Sequence, residues 1–550
     1  MNPIKAALLG LVSLILAHHS FAAPTVGTTT VLGSFTGTGA TLHADNVSPN
    51  LIQWYGTDLG FTYTHAGKIQ FLFGDSWRDS TGLPIQSTTS GLYDDGFGSV
   101  DLSVYGTPSA FTPASRPLIK LGQNAGTVHA AAINPGVVLD IGKTPLGGFS
   151  NGSREFGVFT TTKPQGCLTN SDCTAISAGL TCDTGLGFWG AEYFTPEGFT
   201  GGCIDGQFGC LNDTMANIFG FPIPGTGFCR DTTSSVYAAT PGGRLAAVAA
   251  MVRVGIRSTT DARSYTNNKQ LLSNKFYNQT VATVQSFVPA NGAGYLNQNY
   301  NVATGSGAQQ RVLLWGRPGF IGIGSASRSL GLYFAYVNMP TGSSFTWTIN
   351  YYTGTVGGIP QFSTNQQNAV ALDLNSTTAG VQAAETHDVV NQASVMWVDH
   401  LHKWVMFYGG GMSNLPVFGF PTCGVLELFT GPDCTSVVLG NGAVRMRTAD
   451  DPWGPWTPPQ DVLVGGVPSA TPLQGQYVAG GMLRHPSCVG ATCAPHSPGV
   501  AYAANEYGFL YGANLVQSWI TPVGASVDVI WNASSWDPYR VALFRTRINP

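Results

Sequence analysis

Two aspartates sit on a pattern able to bring them together. Asp58 lies near the start of a run rich in β-branched and aromatic residues, Gly56-Thr-Asp-Leu-Gly-Phe-Thr-Tyr-Thr. Asp75 lies near the end of the next such run, Ile69-Gln-Phe-Leu-Phe-Gly-Asp-Ser-Trp, beyond the short connection His65-Ala-Gly-Lys. Two runs of this kind around a Gly-containing connection predict a β-hairpin from Gly56 to Trp77. In an antiparallel hairpin the start of one strand lies beside the end of its partner, so both carboxylates are expected at one edge of the sheet. Paired carboxyl groups suit glycosidic cleavage: one protonates the leaving oxygen while the other activates water or attacks the sugar. Close packing of the pair would raise one pKa and keep that group protonated for the acid role. Glu155 opens the run Glu155-Phe-Gly-Val-Phe-Thr-Thr and is the third acid expected at that rim.

Other residues offer supporting chemistry. Asp95, with Asp94 and Asp101, lies in Tyr93-Asp-Asp-Gly-Phe-Gly-Ser-Val-Asp101. These are turn residues, calcium ligands or substrate contacts, and Asp and Gly favour turns for backbone reasons alone. Trp315 and Arg317 in Trp-Gly-Arg-Pro are candidate sugar contacts, set against the ordinary role of a core Trp. His387 precedes a strand and is a candidate cleft residue, whereas His400 and His402 fall in a hairpin turn. Trp453, Trp456 and Trp536 lie in Pro-rich turns, where they are expected to staple loops. No Gly-x-Ser-x-Gly elbow or phosphate-binding loop is present, which counts against esterase and nucleotidase readings. No paired C-x-x-C motif with zinc spacing occurs, so no cofactor is expected; structural calcium stays open, with no recognisable loop to support it.

Composition sets the broader class. Charged residues make up 10% of the chain, against about 25% in a typical domain. A net charge of −4 leaves no basic footprint for nucleic acid. Lys5 followed by the apolar stretch 6–17 and the small residues Ser20 and Ala22 reads as a signal peptide over 1–23. No later run is apolar enough to span a membrane. Ten cysteines agree with an oxidising compartment. The expected product is an exported monomer, extracellular or periplasmic.

The elements that must position these side chains are short strands. Besides the hairpin, strand signals recur at Val31, Asn134, Glu155, Arg311, Leu332, Ala393, Lys403 and Val444, and in the final stretch from Ser534. The run from Arg244 is ambiguous, with strand favoured. No long amphipathic helix stands out, so an all-β sandwich, barrel or propeller is predicted, and the uneven repeat favours a propeller with loop insertions. Residues 24–550 form one domain on this reading. Six cysteines between Cys167 and Cys229 mark 164–231 as a disulfide-rich insertion, while Cys423–Cys434 and Cys488–Cys493 are the local pairs that spacing suggests.

Several of these segments together resemble one family. Gly56-Thr-Asp-Leu-Gly, Phe71-Leu-Phe-Gly-Asp-Ser, Leu313-Leu-Trp-Gly-Arg-Pro, Ser394-Val-Met-Trp, Lys403-Trp-Val-Met-Phe-Tyr, Thr448-Ala-Asp-Asp-Pro-Trp-Gly-Pro-Trp and Trp536-Asp-Pro-Tyr-Arg-Val-Ala-Leu run in order over nearly all of the mature chain. They are similar to a five-bladed β-propeller family long catalogued as a domain of unknown function (4185 type), which includes endo-D-arabinanases. The resemblance implies a five-bladed propeller and a hydrolase that cuts a furanoside polysaccharide such as D-arabinan, with Asp58 and Asp75 on the family's acidic motifs. Two features depart from that pattern. One is the Cys-rich insertion; the other is Gln392, at a position where relatives often carry Glu, which would contact substrate. A non-catalytic carbohydrate-binding or surface-interaction propeller is the alternative, and a polysaccharide lyase, disfavoured by few Lys and Arg, is a third reading.

Overall fold

The computed structural model describes residues 23–36, 56–77, 86–87, 91–92, 95–117, 119, 128–132, 143–164, 166–167, 169–174, 180–183, 227–231, 252–259, 265–273, 276, 278–284, 311–317, 332–339, 347–372, 374, 393–409, 444–463, 494–495, 506–507, 510–535 and 540–550. Within them the chain is β-structure, and its α-helices are no longer than 5 residues.

Strand β1 (Thr25–Ser34) opens the chain and finds its partner only at the far end. The first sheet joins β2 (Gly56–His65), β3 (Lys68–Trp77), β6 (Gly96–Asp101) and β7 (Val128–Ala132); the short pair β4 (Gln86–Ser87) and β5 (Gly91–Leu92) falls between in sequence. The second joins β8 (Lys143–Ser150), β9 (Glu155–Pro164), β13 (Val252–Thr259) and β14 (Thr266–Ser273). Between β9 and β13, β10 (Gly166–Cys167), β11 (Leu180–Asp183) and β12 (Gly227–Asp231) make a small sheet of their own, in which Cys182 is disulfide-bonded, as is Cys173 nearby. The third sheet runs β15 (Asn278–Val284), β16 (Arg311–Arg317), β17 (Tyr333–Asn338), β18 (Ile349–Val356) and β19 (Ile359–Ser363). The fourth runs β20 (Ala393–Val398), β21 (Lys403–Gly409), β22 (Val444–Ala449) and β23 (Gln460–Leu463). After the parallel pair β24 (Ala494–Pro495) and β25 (Glu506–Tyr507), the fifth runs β26 (Leu510–Val523), β27 (Ser526–Ser535) and β28 (Arg540–Asn549), and β1 adds to its edge.

All neighbours within these five sheets are antiparallel. The first strand of each sheet packs against its counterparts in two others: β2 against β8, β8 against β15, β15 against β20, β20 against β26, and β26 against β2. The cycle therefore closes, and pairing β1 with β28 ties the two chain ends into one sheet.

Packing explains the sequence pattern. Four apolar clusters fill the spaces between consecutive sheets, from the second round to the first. A strand covered on both faces needs no polar alternation, so it reads as a continuous apolar run. All six residues of β20 are buried for this reason. Trp397 and Trp404 oppose each other across β20 and β21 with ring centroids 5.7 Å apart. Trp531 stacks on Phe544 at 4.4 Å, and each such ring contributes about 2–3 kcal/mol by burial. Trp453 and Trp456, in the Pro-rich turns that they are expected to staple, are buried in the cluster between the third and fourth sheets. The last strand also differs from expectation. Ser534 and Ser535 finish β27, and the closing strand is Arg540–Asn549.

Candidate active site

The first sheet brings Asp58, Gly74 and Asp95 into one row. Asp58 opposes Gly74 across β2 and β3. Phe73 opposes Gly96 across β3 and β6. Asp95 immediately precedes Gly96, so the same register carried one residue further sets it beside Gly74. Asp58 is 4% exposed and Asp95 fully buried. The glycine between them supplies the room, because a Cβ placed there would lie 2.9 Å from Asp58 Oδ1 and 2.7 Å from Leu59 Cδ1. Asp75 follows Gly74 in β3, and the pairing of Gly56 with Trp77 keeps it at the Asp58 end of the hairpin. Three acidic residues therefore share one end of the first sheet.

The backbone that carries Asp58 is not a regular strand. The register shifts between Gly56 and Asp58 and again between Leu59 and Phe61. Leu59 has φ +65 and Gly60 φ +96. A leucine in the left-handed region costs about 1–2 kcal/mol, so the surrounding structure must enforce it. Bulges of this kind re-aim side chains, and they occur often beside active sites. Here the extra residue, Gly60, puts Asp58 on the same face as Phe61 and Tyr63, whose partners Gly74, Leu72 and Gln70 alternate along β3. On the near side, Thr57 Oγ1 donates to the carbonyl of Gly74 at 3.0 Å.

Glu155 lies elsewhere. Its Oε2 accepts from the Tyr63 hydroxyl and from Gln70 Nε2, each at 2.9 Å. Tyr63 and Gln70 oppose each other near the turn of the β2–β3 hairpin, which is the end remote from Asp58. The expectation of a shared rim fails for a topological reason: Glu155 opens the second strand of its sheet, and in a meander second strands begin where first strands finish. His65 extends this cluster, with Nε2 3.8 Å from Glu155 Oε1 and Nδ1 2.7 Å from Ser150 Oγ. Burial, reinforced by the neighbouring Tyr265 and Glu155, pushes the Tyr63 pKa well above its ordinary value, so its hydroxyl stays protonated and keeps donating.

Trp315 is a core residue. It is fully buried, its indole N–H donates to the carbonyl of Pro452 at 2.7 Å, and Phe334 and Trp404 pack on it at 5.3 and 5.5 Å. No face is left for a sugar ring. Arg317 ends β16 opposite Asn278, the first residue of β15. His387 and Gln392 lie outside the described residues, as do Asp94 and the cysteines beyond Cys229. Asp101 caps a short helix, accepting from the Ser103 amide at 2.8 Å. His400 Nε2 lies 3.0 Å from the carbonyl oxygen of Gly524 at the surface. Among the described residues no group of His, Cys, Asp or Glu is arranged to hold a metal ion.

Inside the ring, Thr62, Thr64, Ser150, Ser394, Gln517 and Ser518 help line a cavity of about 100 Å³. Small-molecule pockets usually reach roughly 300–1,000 Å³.

Four residues of this neighbourhood escape a reading of the sequence. Gly74 carries a local signal, a glycine inside an apolar strand, which often marks close approach of another group. Asn514, Asn532 and Ser534 carry none, since they reach the bulge from more than 450 positions away.

No family model matches the chain, and no curated protein matches it. Among solved structures, it is similar to a putative hydrolase from Bacteroides ovatus at 9% identity and a TM-score of 0.36, covering 90% of this chain and 86% of the other. A GH43 β-xylosidase/α-arabinofuranosidase from a compost microbial metagenome aligns at 8% identity and 0.34, covering 94% of each chain. A Trypanosoma rangeli sialidase aligns at 6% identity and 0.26, covering 96% of this chain and 60% of the sialidase. Likeness at this level is loose, and the arrangement of the five sheets rests on their own pairing and packing.

Proposed function

We propose that this chain is a secreted glycoside hydrolase on a five-bladed β-propeller, cutting D-arabinan or a related furanoside-containing polysaccharide at internal linkages. The gathering of Asp58, Asp75 and Asp95 at one end of the first sheet carries this reading. Each of the five sheets is then a blade, and their first strands line the centre. Two carboxyl groups on opposite sides of a glycosidic bond are sufficient for the reaction: one gives its proton to the leaving oxygen, and the other activates water or attacks the anomeric carbon. Asp58 is one of the working pair, and its bulged backbone suits a side chain that must be aimed. Asp75 is its proposed partner, and Asp95, on the other side of Gly74, fixes the site or contacts the sugar. Glu155 is a structural acid in this account.

The deep burial of Asp58 and Asp95 also favours a second reading, in which the row is a structural feature of a propeller that binds glycan without cutting it. Incubation of the mature protein with D-arabinan, arabinogalactan and a polysaccharide panel separates the two. New reducing ends that disappear in Asp58→Asn support the hydrolase. Glycan retention on an affinity gel with no reducing ends supports the binding protein, and products with a conjugated double bond would make it a lyase.

A further inference from the structure

The step that aims Asp58 is held from another sheet. Gly60 is the residue that the β2–β3 ladder skips, and Leu59, which pairs with Phe73, precedes it in the edge strand of the first sheet; backbone groups there that face away from β3 need other partners. The Leu59 N–H donates to Ser534 Oγ at 2.6 Å. The Gly60 carbonyl accepts from Asn532 Nδ2 at 2.8 Å, and the Leu59 carbonyl from Asn514 Nδ2 at 3.4 Å. Asn514 Nδ2 also donates to its own strand, at the carbonyl of Gly512, at 2.7 Å, and lies 3.3 Å from Asn532 Oδ1. Asn514 is 2% exposed, and Asn532 and Ser534 are fully buried. Asn514 stands in β26, and Asn532 and Ser534 in β27. Asn532 and Ser534 are two apart and so share one face of their strand, with both side chains reaching the bulge.

From this geometry we infer that Asn514, Asn532 and Ser534 are positioning residues for Asp58. They fix the left-handed Leu59–Gly60 step, and the step fixes where the carboxylate points. Leucine does not favour φ +65 by itself, and Gly60 is held close enough that a Cβ there would lie 3.0 Å from Asn532 Oδ1. The sheet that supplies the three side chains is the one completed by β1, so closing the ring and shaping the site are one event. This inference rests on the proposed role of Asp58.

The test compares Ser534→Ala, Ser534→Thr and Asn532→Ala with the parent and with Asp58→Asn in the full mature chain, using linear D-arabinan and reducing-end release. The expected result for Ser534→Ala and Asn532→Ala is a kcat at least tenfold lower, with KM within about twofold and the pH profile of kcat displaced. Ser534→Thr, which keeps the hydroxyl, should restore most of the rate. A thermal melt of each variant confirms that it is folded, and Ser534→Ala, which removes one oxygen, covers the case in which Asn532→Ala does not fold. Parental kcat and pH profile in both alanine variants, beside an inactive Asp58→Asn, would overturn the positioning role alone. A fully active Asp58→Asn, or a parent that releases nothing, would remove the catalytic reading and this inference with it.

Discussion

Asp58 and Gly74 face each other across the β2–β3 hairpin, and the carboxylate occupies the space that a side chain at Gly74 would need. The glycine has ordinary strand conformation, so its requirement is steric. Gly74→Ala should displace Asp58 and Leu59 together. Overpacking of this kind costs about 1–3 kcal/mol, and hydrolysis should fall far more than the melting temperature suggests. Parallel measurement of reducing-end release and of the urea midpoint would show the two effects separately.

Substituting the three acids one at a time should divide their roles. Asp58→Asn and Asp75→Asn are expected to lower kcat by about a hundred- to ten-thousandfold, the usual worth of a positioned acid or base. Asp95→Asn should weaken binding or stability more than the chemical step. Steady-state kinetics on D-arabinan with each variant, and azide rescue of the one that acts as nucleophile, would assign them. Full activity in both Asp58→Asn and Asp75→Asn would refute the site.

Glu155→Gln should leave hydrolysis close to parental while lowering stability. The amide accepts fewer hydrogen bonds than the carboxylate and places an N–H where Tyr63 or Gln70 now donates. An unsatisfied buried group costs about 1–3 kcal/mol. The expected outcome is a lower denaturant midpoint with kcat within about threefold of parent; a large loss of kcat in a stably folded variant would return Glu155 to the catalytic set.

Alkaline pH should destabilise the fold through buried tyrosines. Burial raises the Tyr333 pKa to about 12 and that of Tyr351 further, and Tyr63 rises well above its ordinary value. Below about pH 10 these hydroxyls are protonated in both states, and their contribution is complete. Above it the unfolded chain loses its protons first, so stability falls with pH, by about 1.4 kcal/mol per unit and group. For Tyr333 that window runs from about 10 to about 12. Melting temperatures should hold from about pH 8 to about 10 and decline above that, and the decline should be shallower in Tyr333→Phe. An unchanged slope in that variant would contradict the assignment.

How much of this was legible beforehand depends on the distance between the residues involved. The strand content, the hairpins at Gly56–Trp77 and Ala393–Gly409, and the end of the hairpin shared by Asp58 and Asp75 follow from local pattern, since each hairpin register is set within about twenty residues of chain. At Trp315 the sequence favours a core indole and leaves a sugar contact open, because the same apolar ring suits both. Its neighbours Phe334 and Trp404 decided for the core. Glu155 was misplaced because a strand start gives no direction until the order of strands in its sheet is known. Gln392 and His387 fall outside the described residues.

By itself, then, the sequence determined β-structure, a low charge, and two acids on one hairpin, all properties of neighbouring residues. Tertiary structure alone decided that Asp95 joins Asp58 around Gly74, that Glu155 belongs to a seam between two sheets, and that the Leu59–Gly60 step is held by Asn514, Asn532 and Ser534. The physical reason is ring closure. It brings β26 and β27 against β2, and buried polar groups that meet there must satisfy one another's hydrogen bonds whatever their separation along the chain.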